Sequence, residues 1–384
     1  MANTLTSLIP QINLALDTVS RELTGMIPAV TMDAQAARAA VGQTVISPVA
    51  PASTASDITP GVIPPNDGDQ TIGNVSLTIT KARRVPVRWN GEEELGLSGT
   101  GTPSARIMQD QFAQAMRALV NEVEADLAAL YIYASRAYGT AGTAPFGTVN
   151  DYTDATFALK ILKDNGAPVS DNQMVLNTTA GATMIGKQSA VQNTGTDTIL
   201  RQGVLLDVAG MALRESAQIV TSTPGTGASA TTNTAGYAVG ATTITLASAG
   251  TGTIVAGDII TFAGDTQKYG VLTGNANVAA GGTIVLAAPG LRKAIPAAAT
   301  AITVIAAAAR NMLFNRSAIV LATRVPARPS AGDLAVDRQI VTDPRSGLSF
   351  EIAMYPQYRQ MQYEVSVVWG VKAVKTEHMA ILLG

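Results

Sequence analysis

The sequence predicts an α+β protein that contains more than one packed unit. Its 384 residues exceed the roughly 100 to 200 residues that are typical of a single domain. One long stretch has the periodicity of a helix, and the regions on both sides of it alternate with the period of a strand. A further region, rich in Gly, Ala and Thr, contains short apolar pieces separated by turn residues. These patterns predict a mixed fold with a small all-β domain inserted into it.

The composition excludes most kinds of catalytic site. The chain has no cysteine, which removes disulfide scaffolds, thiolate metal sites and cysteine nucleophiles. It has one histidine, His378, so a Ser/His/Asp triad would need that residue, and a site with several histidine ligands cannot be built. Aromatic residues make up only 4% of the chain, too few for a stacking platform. We therefore expect no enzymatic activity, no metal and no cofactor.

The charge balance gives little attraction for nucleic acid or for a membrane. The 26 basic and 28 acidic residues leave a formal net charge of -2. The N-terminus lacks the basic region and the continuous apolar run of a signal peptide. No later segment reaches the roughly 18 uninterrupted apolar residues of a membrane span. These features predict a protein that is made in a cytoplasm and does not enter a membrane.

Residues 1–73 are predicted to form an N-terminal arm. Apolar residues recur every three or four positions from Leu5 to Leu23, which indicates an amphipathic helix limited by Pro10. Residues 43–73 are dense in Pro, Ser, Thr and Asp. Because this second part cannot bury enough apolar surface to fold alone, we expect an extended segment that lies on another surface.

Residues 74–103 are predicted to form an extended hairpin loop. Alternation of period two runs from Val75 to Trp89, and the pair Asn90-Gly91 is a strong hairpin signal before the return GEEELGLSGTG. Basic residues on the strand and acidic residues on the return can pair with each other or with neighbours. The interpretation that we favour makes the following residues candidates for contacts between subunits: Lys81, Arg83, Arg84, Arg88, Trp89, Glu92, Glu93 and Glu94.

Two other interpretations of these charges are weaker. The three glutamates could act as acid/base or cation-binding carboxylates, but adjacent residues on an exposed loop point apart and stay solvated. The basic cluster could bind phosphate, although acidic residues are predicted opposite it. An ion pair between subunits is therefore favoured over nucleic-acid binding.

A long amphipathic helix is predicted from Ser104 to about Tyr138. Thr102 or Ser104 can cap it, and Pro103 suits its first turn. Its apolar stripe extends well beyond the usual three turns. A shorter helix is predicted from Asp154 to Lys163, ending at Asn165-Gly166.

A strand at Met174 to Leu176 is predicted to lead into another short helix. The segment from Gly181 to Lys187 after that strand resembles a phosphate-binding loop, and this is the only basis for an enzymatic hypothesis. That loop requires Ser or Thr after its lysine to hold magnesium, whereas this chain has Gln188. We therefore favour an ordinary helix that follows a strand.

Residues 221–309 are predicted to form an inserted small β domain of immunoglobulin-like or barrel type. Its predicted strands are Thr243 to Leu246, Asp258 to Phe262, Tyr269 to Leu272, Thr283 to Leu286 and Ile302 to Val304. Longer strands follow at Ser317 to Thr323, Leu348 to Met354 and Tyr363 to Val374, and the chain ends in MAILLG. We expect the last strands to pair with the α/β unit that precedes the insertion.

The order of these segments resembles the major capsid proteins of tailed bacteriophages, which have the HK97-like fold. The likeness is to the short-tailed-phage coat type with an inserted domain. It covers most of the chain after about residue 74 and rests on the stretches NVSLTIT through MRALVNEVEADLAALYIYAS, VAGMALRES, GDIITFAG and VSVVWGVKAVKTEHMAILLG.

The resemblance implies a division of the chain and a role for each part. The hairpin loop would reach onto a neighbouring subunit. Residues 104–207 would hold the spine helix and the peripheral domain, which residues 363–384 would complete with closing strands. Residues 208–220 and 310–362 would form the two parts of the axial domain.

The resemblance also implies a structural function. The chain would assemble with copies of itself, as pentamers and hexamers, into the icosahedral head shell around double-stranded DNA. Scaffolding and portal proteins would be further partners, and packaged DNA would be bound only weakly. The chain would be made in the bacterial host cytoplasm and end in the virion. The alternative hypothesis is a phage tail, fibre or surface-adhesion protein whose β domain recognises a receptor.

Overall fold

The computed structural model describes residues 15, 25–49, 55, 57–58, 60–63, 72–99, 104–148, 151–188, 207–343 and 347–384. The helix predicted between Leu5 and Leu23 lies outside the described residues, apart from Ala15. The described chain contains helices and strands in alternation, so its fold is of the mixed α and β kind.

The described residues form four α-helices and nineteen strands. The helices are α1 (Gly91–Gly99), α2 (Ser104–Ala128), α3 (Thr153–Asp164) and α4 (Thr178–Gln188). The strands up to the insertion are β1 (Thr31–Ala39), β2 (Thr44–Val49), β3 (Gly73–Thr78), β4 (Lys81–Asn90), β5 (Arg136–Tyr138), β6 (Asn172–Leu176) and β7 (Met211–Glu215). The next six are β8 (Ala230–Thr231), β9 (Thr243–Leu246), β10 (Ile259–Phe262), β11 (Lys268–Thr273), β12 (Gly282–Leu286) and β13 (Ala301–Val304). The last six are β14 (Arg310–Asn315), β15 (Ile319–Pro326), β16 (Asp337–Thr342), β17 (Ser349–Gln357), β18 (Gln360–Ala373) and β19 (Met379–Leu383).

The predicted hairpin turn at Asn90-Gly91 is wrong, because Asn90 ends β4 and helix α1 begins at Gly91. The Asn90 side-chain oxygen accepts a hydrogen bond from the Glu93 backbone N–H at 2.7 Å. The Glu93 carboxylate in turn accepts one from the Asn90 backbone N–H at 3.1 Å. This reciprocal pair satisfies two donors at the start of a helix, as a capping box does. The acidic segment is therefore a helix and not a strand returning along β4.

The long helix α2 is confirmed, but it ends before the predicted Tyr138. Its buried stripe includes Phe112, Met116 and Leu127, each at most 2% exposed. After a 3-10 turn over Ala129–Tyr133 the backbone becomes extended, and β5 pairs in parallel with β19. The backbone groups of this segment are thus taken up by a sheet, a non-local interaction that overrides the helical periodicity.

The first sheet has six strands and packs against α2. Its path is β1-β15-β18-β17-β16, and β4 pairs with β18. The register of β4 runs from Lys81 opposite Trp369 to Asn90 opposite Gln360. The rings of Phe112 on α2 and Tyr363 on β18 meet edge to face, with centroids 5.7 Å apart. The face of this sheet and the stripe of α2 form the largest apolar cluster of the described chain.

The second sheet joins segments from both sides of the insertion. Its strands run in the order β7-β6-β14-β19-β5, and helices α3 and α4 supply the apolar cluster beside them. Leu159 and Met184 from the helices pack there with Leu313 and Leu382 from the strands. The prediction that the chain's last strand pairs with the earlier α/β unit is confirmed, so this core is discontinuous in sequence.

Strands β8 to β13 continue the second sheet through β11, which pairs with β5. They enclose an apolar cluster of their own, with Ile244, Ile260 and Ile284 fully buried. All five strands predicted between residues 243 and 304 are confirmed, with ends that differ by at most one residue.

Residues 208–220 and 310–362 were expected to form one domain. The strand pairing groups the later strands differently. Strands β15, β16 and β17 belong to the first sheet, beside α2, whereas β7 lies in the second sheet. Helix α3 and strand β6, expected beside α2, also belong with the second sheet. The physical reason is strand β18, whose 14 residues pair with β4, β15 and β17 together.

Candidate subunit contact surfaces

A two-stranded ribbon, β2 with β3, is fixed to the first sheet at its base. Leu77 is 3% and Ile79 is 1% exposed, and Ile79 packs with Ala39 and Val368. The Lys372 ammonium donates a hydrogen bond of 2.6 Å to the Ser76 carbonyl. The adjacent Gly370 allows close packing, because a Cβ there would lie 2.3 Å from the carbonyl oxygen of Thr78. The base of the ribbon is therefore held by close backbone contact with β18.

Away from its base, the ribbon exposes apolar side chains. Ile46 on β2 is 62% exposed, and Ile72, next to β3, is 66% exposed. Three more large apolar residues between the two strands are 80% exposed or more: Ile58, Val62 and Ile63. An isolated two-stranded ribbon is at best marginally stable in water, and adjacent exposed apolar residues are typical of contact surfaces. The proline-rich segment predicted to lie on another surface thus includes one strand of this ribbon.

The basic residues at the start of β4 pair with helix α2 of the same chain. The Lys81 ammonium lies 3.0 Å from the Glu122 carboxylate and 2.8 Å from that of Asp126. The Arg83 guanidinium lies 3.0 Å from Glu122. The Trp369 indole N–H donates to the second oxygen of Asp126 at 2.9 Å. These contacts fix the orientation of β4 against α2.

The same contacts shift the pKa values of their partners. Burial pulls the pKa of Lys81 down, but its hydrogen bonds to Asp126 and Glu122 outweigh burial and raise that pKa. Burial pulls the pKa of Glu122 up, while hydrogen bonds from Lys81 and Arg83 lower it below its ordinary value. Both shifts favour the charged forms of Lys81 and Glu122.

Arg84 and Trp89 also have partners within the chain. The Arg84 guanidinium lies 2.7 Å from the Glu364 carboxylate on β18, and this hydrogen bond raises the pKa of Arg84. The Trp89 indole N–H donates to the Gln111 side-chain oxygen at 2.6 Å. Trp89 itself is buried against α2 at 6% exposure. Its role in contacts between subunits can therefore only be indirect, through the position of β4.

Two of the charged candidates have no ion-pair partner among the described residues. Arg88 on β4 and Glu92 on α1 are exposed to solvent and are absent from the ion pairs of the described chain. Glu93 is used in the capping box, and Glu94 is exposed beside it. The structure thus brings the acidic residues to the first turn of a helix, where negative charge is favourable.

A buried carboxylate that sequence analysis missed holds residues 26 and 27 of the arm. Glu124 on α2 is 1% exposed and accepts hydrogen bonds from the backbone N–H groups of Met26 (3.0 Å) and Ile27 (2.8 Å). It also accepts one from the Ser216 hydroxyl at 2.9 Å. Burial raises the pKa of Glu124, and these hydrogen bonds oppose the rise. The signal in the sequence is a glutamate four residues after Val120, inside the apolar stripe of the helix.

A second buried carboxylate fastens strand β1 to the first sheet. The Glu351 side chain, 3% exposed, lies 2.8 Å from the Arg38 guanidinium and 3.0 Å from that of Arg338. Burial pulls the pKa of Glu351 up, but hydrogen bonds from Arg38 and Arg338 lower it. Arg38 also donates to the Pro326 carbonyl at 2.7 Å. The arm therefore belongs to the packed body from residue 25 to the end of β1.

Three strands of the first sheet have one free edge within the described part of the chain. There, β1 pairs only with β15, β4 only with β18 and β16 only with β17. A free edge presents unpaired N–H and C=O groups that another chain can use. Pro86 in β4 fits this position, because proline is tolerated in edge strands.

The described residues do not form the chemical sites that the sequence raised as alternatives. Gly181 to Lys187 lies within helix α4, so the phosphate-binding-loop hypothesis is wrong for this segment. No group of three His, Cys, Asp or Glu in the described ranges could hold a metal ion. His378 is 9% exposed, and burial lowers its pKa. No helix of the described chain has the length and apolarity to cross a bilayer.

Comparison with known proteins finds likeness in structure but not in sequence. No protein-family model matches the chain, and no curated protein matches it. A structure from Mycobacterium phage Che8 is 13% identical, with a TM-score of 0.44 over 89% of this chain and 84% of that chain. The capsid of cyanophage P-SCSP1u is 12% identical, with a TM-score of 0.48 over 92% of this chain and 86% of that chain. A virus-like particle from Pyrococcus furiosus is 9% identical, with a TM-score of 0.45 over 97% of this chain and 98% of that chain.

Proposed function

We propose that this chain is the major capsid protein of a tailed phage and that it self-assembles into the icosahedral head shell around double-stranded DNA. The observation that carries the proposal is the ribbon of β2 and β3. It is held to the first sheet at its base, while Ile46 on β2, Ile72 next to β3 and three residues of the connecting segment expose large apolar side chains, as expected of an element that completes its burial against another copy.

The energy available from the ribbon favours an assembly with several contacts for each subunit. Burying one large apolar side chain stabilises by about 1.5 to 3 kcal/mol, so the five exposed ones would contribute about 7 to 15 kcal/mol. Association costs roughly 4 to 15 kcal/mol in lost freedom of motion. One ribbon contact is therefore weak by itself. A closed shell sums many such contacts, which makes the assembly persistent although each interface is modest.

The charged candidates divide into two groups with different roles. We propose that Lys81, Arg83 and Arg84 act within the subunit, where their partners hold β4 in place. Arg88 and Glu92 have no ion-pair partner in the described part of the chain and have opposite charges. They are the residues that we expect to pair between copies, with Glu94 beside them.

We also propose names for the parts of the subunit. The first sheet with α2 would be the peripheral domain, and the second sheet with α3 and α4 would be the axial domain around capsomer axes. Residues 221–309 would be an inserted β domain, which their separate apolar cluster supports.

The remaining features of the proposal concern partners and place. The subunit would be structural and without catalysis, would assemble as pentamers and hexamers with scaffolding and portal proteins, and would end in the virion after synthesis in the host cytoplasm. Packaged DNA would be held weakly, because phosphate affinity grows with the number of unpaired cationic side chains.

The test of this function is the assembly of the expressed full chain, alone and with its scaffolding partner. We expect closed particles of uniform diameter in negative-stain micrographs and a fast-sedimenting species in the ultracentrifuge. A chain that stays monomeric at all concentrations would contradict the proposal. Elongated trimers that bind glycans would instead support the tail or fibre hypothesis.

Substitutions on the ribbon test whether it is the contact that carries assembly. Ile46→Asp should abolish particles and leave the circular dichroism spectrum unchanged, because the charge would enter a buried interface. Val239→Asp is the matched control, since Val239 is 60% exposed and Ile46 is 62% exposed. Equal assembly of the two variants would count against the ribbon.

A charge exchange tests the proposed ion pair between copies. Arg88→Glu and Glu92→Lys should each reduce the yield of particles, and the chain that carries both changes should recover it. If the double variant assembles no better than the single ones, these residues do not pair across the interface.

A further inference from the structure

A polar cavity of about 560 Å³ lies where the β8 to β13 segment meets helix α3. Its walls come from the loop of residues 139–148, from α3 and from residues 266–268 between β10 and β11. The volume falls in the range of roughly 300 to 1,000 Å³ that is usual for small-molecule sites. Nothing in the proposed function uses this cavity.

The two carboxylates in the wall already have partners. Asp164 lies 2.7 Å from the Lys160 ammonium and 3.6 Å from the Arg136 guanidinium. Asp154 accepts a hydrogen bond from the Phe146 backbone N–H at 2.8 Å. Neither carboxylate is therefore free to neutralise a further cation.

The cations of the wall are less well satisfied. Arg136 is 2% exposed; its terminal nitrogens donate to the Gln267 (2.8 Å) and Asn165 (3.1 Å) side-chain oxygens, while its Nε has no hydrogen-bond partner in the described part of the chain. The Lys268 ammonium donates to the Gly139 carbonyl and has no carboxylate partner among the described ion pairs. Burial lowers the pKa of Lys268, and burial together with the nearby charge of Arg292 lowers that of Arg136. Positive charge thus accumulates around the cavity without an equal negative charge.

Neutral groups of the wall add hydrogen-bond donors and one aromatic face. Four threonines line the cavity: Thr140, Thr143, Thr148 and Thr266. Phe157 stacks on Tyr138, with centroids 5.0 Å apart and planes inclined by 7°. Phe157 is nevertheless 44% exposed, so part of its surface remains available to a ligand.

We propose that this cavity binds a phosphate-bearing small anion through Lys268 and the threonine residues of the wall, with Arg136 behind them as a buried positive charge. Phosphate suits the site better than a carboxylate, because its several oxygens can accept from cations and hydroxyls on different walls. A ring attached to the phosphate would lie against Phe157. The bound anion would tie the β10–β11 turn to α3 and to the loop after β5.

The first experiment measures binding of inorganic phosphate and of adenosine monophosphate to the purified full chain by equilibrium dialysis at constant ionic strength. We expect saturable binding with close to one site per chain. Tighter binding of the nucleotide, lost in Phe157→Ala, would identify a phosphate monoester with a stacked ring as the ligand class. Equal binding of the two probes would identify free phosphate. Absence of saturable binding of both probes would overturn the proposal.

Variants locate the binding in this cavity. Lys268→Gln should weaken phosphate binding about tenfold, as expected for the loss of one charge-assisted hydrogen bond. Lys163→Gln is the matched control, because Lys163 is exposed and does not line the cavity. If Lys268→Gln does not fold, Thr266→Val, which removes a hydroxyl from the same wall, decides the outcome. Binding that is equal in the wall variant and in Lys163→Gln would overturn the assignment.

Discussion

Replacing Glu124 by alanine should release residues 25–30 of the arm from the body of the subunit. The substitution leaves three groups without an acceptor: the N–H of Met26, the N–H of Ile27 and the hydroxyl of Ser216. Each buried polar group that loses its partner costs about 1 to 3 kcal/mol. The expected loss is therefore about 3 kcal/mol or more, and it acts locally on the segments that these groups belong to.

Hydrogen exchange is the suitable assay, because a chain with more than one core does not unfold in a single step. A local loss of about 3 kcal/mol corresponds to exchange roughly 100-fold faster. The increase should appear in peptides that cover residues 25–30 and 211–219, and peptides from the β8 to β13 segment should be unchanged.

The matched control is Glu122→Ala, two residues earlier on the same helix. Glu122 is 30% exposed, and such partly exposed ion pairs contribute about 0 to 1 kcal/mol. The hydrogen exchange of residues 25–30 and 211–219 in Glu122→Ala should therefore change by a few-fold at most. Exchange of residues 25–30 in Glu124→Ala within about threefold of the unmodified chain would refute the assignment of Glu124 as the anchor of the arm.

The pKa of Glu124 gives the same site a signature in pH. Because burial raises this pKa above its ordinary 4.5, the folded chain holds a proton that the unfolded chain has already released. Stability at this site therefore falls as pH rises from about 4.5 through the raised pKa. Glu124→Gln, which has no ionisation, should remove that dependence from the exchange of residues 25–30.

The remaining predictions concern Glu351, a carboxylate whose pKa is lowered and not raised, and the Asn90 cap of helix α1. Burial raises the pKa of Glu351, but hydrogen bonds from Arg38 and Arg338 outweigh burial and lower that pKa. The contribution of Glu351 to stability is therefore fully present above its ordinary pKa of 4.5, and it is lost as the pH falls through the lowered pKa. Glu351→Gln should therefore speed the hydrogen exchange of β1 and β17 at pH 7, and the difference from the unmodified chain should shrink in acid; a constant difference would contradict this. Asn90→Ala should destabilise α1 by about 1 kcal/mol, seen as faster exchange of residues 91–96, whereas a return strand would give no such local effect.

Local patterns in the sequence predicted the elements better than their partners. The strands between residues 243 and 304 were predictable because turn residues mark both ends of each one. The end of α3 at Asn165-Gly166 follows from glycine, which adopts the left-handed conformation there at a φ of 78°. Period two identifies the buried face of a strand, but it does not identify the neighbouring strand. The position of β15 to β17 beside α2 depends on β18 and is not visible locally.

The same limit applies to the candidate contact residues. The acidic partner of Lys81 was expected on a neighbouring subunit, or on Glu92 to Glu94 of the predicted return strand. Glu122 and Asp126 lie 41 and 45 positions away, on a helix whose sequence shows only an ordinary solvated face. Asn90-Gly91 is ambiguous in a different way, because asparagine serves both a tight turn and a helix cap. Only the carboxylate of Glu93, three residues on, favours the cap.

The internal pairing of β4 also bears on how the subunit would meet packaged DNA. A strand with four basic residues in eight positions would grip a phosphate backbone if those charges were free. Lys81, Arg83 and Arg84 instead face carboxylates of the same chain, so a phosphate would have to displace a partner already in contact. Such exchange gains little, since one ion pair replaces another at the same surface. Under the proposed function, this arrangement is what we expect of a shell that encloses DNA without holding it, and the exposed apolar residues of the ribbon remain the proposed contact surface.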